Sequence, residues 1–279
     1  MTHTPVLLHQ HDKWTLMVSN HTETVKRLVV FVHGFNGDGL KTWGQFTKPG
    51  AHREWWLESD MLFIDYNSKR DGPLGVALRI RNWIDHFYPK PYAPAMMIDD
   101  LPGRADITTP YEELVLVGHS LGGLIIRRAI LDVAMNWDNE GRTQDEWHVL
   151  LSATTRLFSP ASAGFQSGGF LALVEESVFG RWLEFYLRRS PAFKDMQPNS
   201  RVLQDTQKWT EEIALEPGFE ALRPRIVWAN PDNVVTTLGY RTDGKQDSWD
   251  KTTHSKVCKP IRDHFENPWT FIEKGQVPT

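Results

Sequence analysis

Hydrophobic and polar positions along this 279-residue chain fall into two patterns: short unbroken apolar runs, and longer stretches with an apolar residue every third or fourth place. Runs at 28–32 (Leu28-Val29-Val30-Phe31-Val32), 61–66, 113–117, 147–152 and 225–229 read as strands buried on both faces, as in a parallel sheet covered by helices on each side. Residues 12–19 alternate weakly through Trp14, Leu16 and Val18, which predicts an early antiparallel strand at the sheet edge. A short last edge strand is expected at 245–249. Helical spacing appears at 74–87 (Leu78, Trp83, Ile84, Phe87), stopped by Pro89 and Pro91, at 121–135, at 199–213, and in a terminal helix over 257–265 whose start Pro260 delays. Residues 91–110 carry four prolines and read as an irregular excursion. Strands alternating with helices predict one α/β domain over residues 1–279 with a mostly parallel central sheet and helices on both faces. The helix-like material within 155–215 interrupts that rhythm before the strand at 225–229, the natural place for a cap or lid, or for an ordinary long crossover.

One junction between strand and helix carries chemistry. Gly118-His119-Ser120-Leu121-Gly122 follows the run at 113–117 and opens the helix at 121. A strand turning straight into a helix crowds the positions two residues either side of the serine, which is why glycine is needed there, and the strained turn lifts the hydroxyl clear of the sheet. The helix then aims its N-terminal amides at the same point, where a developing oxyanion is stabilised. The plainer reading is a serine that only caps the helix. His33-Gly34-Phe35-Asn36-Gly37 ends the first buried strand. Its glycines bring the backbone close to the serine, so the amides of Phe35 and Leu121 are the expected oxyanion donors. The side chain of His33 is expected to be structural.

A serine hydroxyl needs a base to take its proton and an acid to hold that base in the right tautomer. Asp232 follows the strand at 225–229 and His254 follows the last strand, so the order Ser120, Asp232, His254 puts all three where loops converge. Asp145, Glu146, Asp247 and Asp250 are the rival acids. Among the histidines, His119 is expected to point away from the reacting face and His264 to lie inside the terminal helix. The tryptophan-rich residues 38–56, with Met96-Met97, Phe165, Phe170, Leu171 and Leu173, offer an apolar acyl pocket if they converge on Ser120. Each tryptophan has simple core packing as its alternative.

Composition narrows the classes. Thirty-one Lys plus Arg against 35 Asp plus Glu give a formal charge of −4, which leaves no electrostatic footprint for nucleic acid or an anionic membrane. The pairs Arg127-Arg128 and Arg188-Arg189 read as solvated helix faces. A single cysteine, Cys258, allows no internal disulfide and suits a reducing compartment. Without a basic-then-apolar N-terminus or a run near the roughly 20 apolar residues of a membrane span, a cytoplasmic location is expected, with no integral membrane segment. No metal is expected: His3, His9 and His11 cluster without a scaffolded acid beyond Asp12. The glycines around Ser120 match neither a dinucleotide fingerprint nor a P-loop, so no cofactor is expected.

Gly118-His119-Ser120-Leu121-Gly122-Gly123 preceded by His33-Gly34-Phe35 resembles the α/β-hydrolase superfamily. Thr42-Trp43, Trp55-Trp56-Leu57, Ile64-Asp65-Tyr66-Asn67-Ser68, Met196-Gln197-Pro198-Asn199-Ser200 and Thr253-His254-Ser255-Lys256-Val257-Cys258-Lys259-Pro260 resemble its lipase-like branch, which holds the "serine active site-containing" proteins and the GPI-inositol deacylases. The resemblance covers about residues 26 to 265. It implies the α/β-hydrolase fold, with Ser120 as nucleophile, Asp232 as acid and His254 as base, and a small-molecule or lipid-like acyl ester as substrate. The chain departs from the branch where Ala153-Thr154-Thr155-Arg156 stands in place of a Thr-Pro after the strand. The reading is a soluble carboxylic-ester hydrolase for short-to-medium acyl chains working through an acyl-enzyme. A lipase, thioesterase or acyltransferase would use the same residues, and a non-catalytic interaction protein on the same fold is the alternative from another class.

Overall fold

A computed structural model describes residues 2–8, 14–20, 24–48, 53–98, 101–102, 106–140, 147–166 and 191–276. In chain order these form strands β1 (His3–Leu8), β2 (Trp14–Ser19) and β3 (Arg27–Val32), helix α1 (Glu54–Leu57), β4 (Ser59–Ile64), α2 (Pro73–Trp83) and α3 (Ala93–Met96). A two-residue hairpin, β5 (Met97–Ile98) and β6 (Leu101–Pro102), precedes β7 (Glu113–His119), α4 (Leu121–Glu140) and β8 (Thr154–Phe158). Helices α5 (Pro191–Asp195) and α6 (Arg201–Ile213) lead to β9 (Arg225–Asn230), β10 (Gln246–Asp250) and α7 (Asn267–Lys274).

Eight strands make one sheet in the order β1-β2-β4-β3-β7-β8-β9-β10. From β4 to β10 every pairing is parallel, while β1 and β2 are antiparallel. The continuous apolar runs are explained by which face each residue serves. In β3, Leu28, Val30 and Val32 enter one core with residues of α2, α4 and α6; Val29 and Phe31 enter a second with Trp56 of α1 and Trp269, Phe271 and Ile272 of α7. Residues of β7 divide the same way, Leu114 and Leu116 against Val115 and Val117. This is the α/β-hydrolase fold, with helices on both faces and a helical stretch before the strand that leads to Asp232.

Four local expectations are corrected. First, β2 is not the edge: β1 covers it, with His3 facing Ser19, and His3 is buried with its ring on the carbonyl of Ser59 at 2.9 Å. Second, residues 147–152 form no strand. Residues 149–152 make a 3-10 turn capped by His148, whose Nδ1 accepts from the Leu150 amide at 3.2 Å, and the parallel strand is β8. Third, residues 257–265 are turns, and His264 sits in one. The helix starts only at Asn267-Pro268, with proline in its first turn, and stops at left-handed Gly275. Fourth, Arg127 is no solvated side chain. It is buried, bidentate to Asp243 at 2.7 Å twice, and stacked over Tyr240. The expectations for residues 167–190 of the cap, including Phe170, Leu171 and Leu173, and for Arg188-Arg189, lie outside the described residues.

Candidate active site

Because β3, β7, β8, β9 and β10 run parallel, their carboxyl ends lie side by side, and the loops leaving them meet. Pairing of Val32 with Gly118, His119 with Phe158, Phe158 with Val227 and Asp250 with Asn230 keeps those ends level. Phe35, Ser120, Ser159, Asp232 and His254 each stand within a few residues of one of them.

Ser120 adopts a left-handed φ of 53°, the strained turn expected between β7 and α4. The turn is pinned from the β8 side: the Ser120 amide donates to the Phe158 carbonyl at 3.0 Å, and its own carbonyl accepts from the Ala161 amide at 3.0 Å. The flanking glycines are required: a Cβ on Gly118 would lie 3.0 Å from the carbonyl carbon of Gly122, and the neighbouring backbone is closer still. A Cβ on Gly122 would lie 2.0 Å from the Val32 carbonyl oxygen, and one on Gly118 would lie 2.8 Å from the backbone of Gly123. Gly122 therefore lets the start of α4 rest directly on the end of β3. This brings the Phe35 loop beside the serine. The amides of Phe35 and Leu121 have no acceptor among the described residues.

His254 is buried and its Nδ1 lies 2.9 Å and 3.1 Å from the two carboxylate oxygens of Asp232. Asp232 Oδ1 also accepts from the amides of Val234 and Val235 at 3.0 and 3.1 Å. Burial alone would raise this carboxyl; the His254 ring, the Ser159 hydroxyl and the Val234 amide outweigh it and hold Asp232 below its ordinary value. The opposite ring nitrogen of His254, Nε2, is buried without a partner among the described residues, and His254 and Ser120 line the same cavity. Of the rival acids, Asp250 accepts from Asn230 and Asp247 pairs with Lys245, while Asp145 and Glu146 lie outside the described residues.

Three supporting side chains escaped the sequence reading. Ser159 is fully buried at a left-handed φ of 39°, accepts from the Ala229 amide at 2.9 Å and helps to hold Asp232 ionised. Gln166 clamps the same loop by donating to the carbonyls of Asp232 and Val235 at 2.8 and 2.9 Å. The signal for Ser159 was its place, one residue past the carboxyl end of β8, where the loops of the parallel strands meet. His119 is the third. It does not point away from the site; its ring packs 4.9 Å from that of His254, and its Nε2 lies 2.8 Å from the His254 carbonyl oxygen. That geometry makes Nε2–H the donor. Burial first, and the neighbouring His254 second, push the His119 imidazole down to about 3, so it is neutral at physiological pH. His33 is structural in its contacts, buried and stacked on Tyr66, with Nδ1 at 2.8 Å from the Gly34 carbonyl.

The cavity at Ser120 has a volume of about 350 Å³ and is open to solvent, and its wall mixes polar and apolar surface. Among the described lining residues Phe35 is the one side chain without a polar atom; the others include Asn36, Asp38, Lys41, Thr42, Ser255 and Lys259 and the rings of His119 and His254. The acyl pocket expected from residues 38–56 does not form there. Trp43, Phe46 and Trp56 are fully buried in the second core, with Trp43 edge-on to Phe31 at 4.9 Å, and Met96 is buried in the first. Aromatic side chains leaving the β3 loop found more area to bury beneath the sheet than beside the serine. No helix among the described residues is long and apolar enough to cross a membrane, and no cluster of three His, Cys, Asp or Glu among them is arranged to hold a metal ion.

The family model for the alpha/beta hydrolase family matches residues 29–273. No curated protein matches the chain in sequence. Among solved structures, the chain is similar to the mature Bacillus licheniformis lipase BlEst2 (16% identity, TM-score 0.53, covering 93% of this chain and 96% of that one). It is also similar to a putative aryl esterase from Burkholderia cenocepacia (11% identity, TM-score 0.50, covering 97% and 95%). At these identities the likeness is one of fold.

Proposed function

Since the chain belongs to the alpha/beta hydrolase family, we propose that it is a serine hydrolase that cleaves carboxylic esters through an acyl-enzyme, with Ser120 as nucleophile, His254 as base and Asp232 as the acid that orients it. The observation that carries this reading is the buried Asp232–His254 pair, 2.9 Å between oxygen and Nδ1, presented to the cavity that also holds the strained Ser120. With Asp232 ionised, the Nδ1 proton of His254 is fixed and Nε2 is left as the acceptor for the serine proton. Ser120 Oγ attacks the ester carbonyl as its proton passes to Nε2. The tetrahedral oxyanion is held by the amides of Phe35 and Leu121, the latter at the positive end of α4. Collapse expels the alcohol with the proton from Nε2. Water, deprotonated by the same nitrogen, then releases the acid.

A short-to-medium acyl chain suits this cavity, because among the described lining residues Phe35 is the one wholly apolar side chain and each methylene left in water forgoes about 0.8 kcal/mol of binding. Measuring kcat/KM over p-nitrophenyl esters of increasing acyl length tests this. A maximum at short-to-medium chains without activation by micelles is expected. A maximum at long chains, with a jump as the substrate forms micelles, rejects it in favour of a lipase.

A further inference from the structure

Among the described residues, the cleft over Ser120 contains a cation with no ionic partner. Three charged side chains other than histidine line it: Asp38, Lys41 and Lys259. Asp38 is committed, accepting from the amides of Leu40 and Lys41 at 3.1 and 3.0 Å and lying 3.4 Å from the Lys41 ammonium. Lys41 and Asp38 thus offset each other. Lys259 has no ion-pair partner among the described residues, and it is half-buried rather than swung into solvent. Its stem rests against Gly44, where an added Cβ would lie 3.3 Å from the Lys259 Cβ. Its charge reaches the buried floor of the cleft, where it helps to keep His119 unprotonated, behind the larger effects of burial and His254. The remaining wall supplies short polar groups, Asn36, Thr42 and Ser255, and one apolar ring.

We propose that the cleft takes esters carrying an anionic group, a carboxylate or a phosphate, a few bonds from the scissile carbonyl, and that Lys259 is the residue that selects for it. This rests on the serine-hydrolase reading above. Among the described residues of the cleft no Val, Leu, Ile or Met lines Ser120, Trp43, Phe46 and Trp56 of the neighbouring loop are spent on the core, and Lys259 is the charged side chain left without an ionic partner. An ammonium on a flexible four-carbon stem suits a point-like anion whose distance from the carbonyl varies, where a planar guanidinium would demand a fixed fork.

The test separates the two readings by using paired reagents at Ser120. Two fluorophosphonates of equal length, one ending in a carboxylate and the other in its methyl ester, are reacted with the intact protein, and the rate of single-adduct formation is followed by intact mass. The carboxylate reagent is expected to react about fivefold faster than the methyl ester, the size of a partly exposed ion pair. That ratio is expected to fall toward one in Lys259→Gln, to invert in Lys259→Glu, to shrink with added salt, and to hold in Lys256→Gln, an exposed lysine on the same turn. Equal rates for both reagents with the wild-type protein overturn the proposal while leaving the hydrolase reading intact. So does a Lys259→Gln variant that slows both reagents alike, which would make Lys259 a partner of the oxyanion. Absence of any adduct on Ser120 removes the hydrolase reading and this proposal together. Paired turnover of 4-acetoxybenzoate against its methyl ester, and of p-nitrophenyl hydrogen glutarate against p-nitrophenyl methyl glutarate, then distinguishes an anion on the alcohol side from one on the acyl side.

Discussion

Replacing Asp232 by Asn isolates what the carboxylate does, because the structure dictates how the amide must sit. Oδ1 receives the amides of Val234 and Val235, two donors that an Asn nitrogen cannot face. The Asn oxygen is therefore held at that position and its NH2 takes the place of Oδ2, 2.9 Å from His254 Nδ1. A donor there makes Nδ1 an acceptor and drives the ring proton to Nε2, the atom that must accept from Ser120. Fold and packing survive while the wrong tautomer dominates. The expected loss in kcat is on the order of 10⁴, as for the same exchange in a serine protease triad, equivalent to about 5.5 kcal/mol in the barrier. Steady-state turnover of a short p-nitrophenyl ester reads the loss, and a thermal melt within a few degrees of wild type verifies the fold. An Asp232→Asn enzyme within tenfold of wild type would refute the tautomer argument.

Other consequences follow from the same contacts. His119 is neutral in the folded protein down to about pH 3 but gains a proton near 6.5 once unfolded, so folding stability falls as pH falls through that window, by about 1.4 kcal/mol per pH unit. Urea unfolding at pH 7 and pH 5 should show His119→Gln losing about 2 kcal/mol less than wild type over the interval; equal losses would mean that His119 does not titrate this way. Asp243→Asn strands the buried Arg127 guanidinium and should cost about 3 to 5 kcal/mol, whereas the double change Arg127→Met, Asp243→Leu should recover most of it in the same assay. Gly122→Ala drives a methyl into the Val32 carbonyl and should cost about 4 kcal/mol or more or prevent soluble expression; a melting temperature near wild type would show that the elbow can relax.

The central sheet was legible because strands buried on both faces leave continuous apolar runs, and β3, β4, β7 and β9 each do so. Periodicity failed where a run was short. Val149, Leu150 and Leu151 are as apolar as a strand, yet they cover α4 from a 3-10 turn, while β8 hides behind Thr154, Thr155 and Arg156. Pro268 and Gly275 mark the start and stop of the last helix, whereas the apolar spacing from Val257 to Phe265 predicts it over residues that form turns. For the site, chain order brought Asp232 and His254 together at hydrogen-bond distance. What could not be read was the direction of a side chain. Whether His119 faces His254, whether Trp43 lines the cleft or the core, and whether Arg127 meets water or Asp243 all depend on packing between distant segments.

Trapping the acyl group decides whether hydrolysis passes through Ser120. The protein is mixed with p-nitrophenyl acetate, quenched in acid within the first turnover, digested, and the peptide spanning 113–127 analysed by mass. One acetyl group on Ser120, formed no slower than turnover, is expected, with loss of both adduct and turnover in Ser120→Ala. Turnover that persists in Ser120→Ala, or a kinetically competent acetyl group on any other residue, would contradict passage through Ser120.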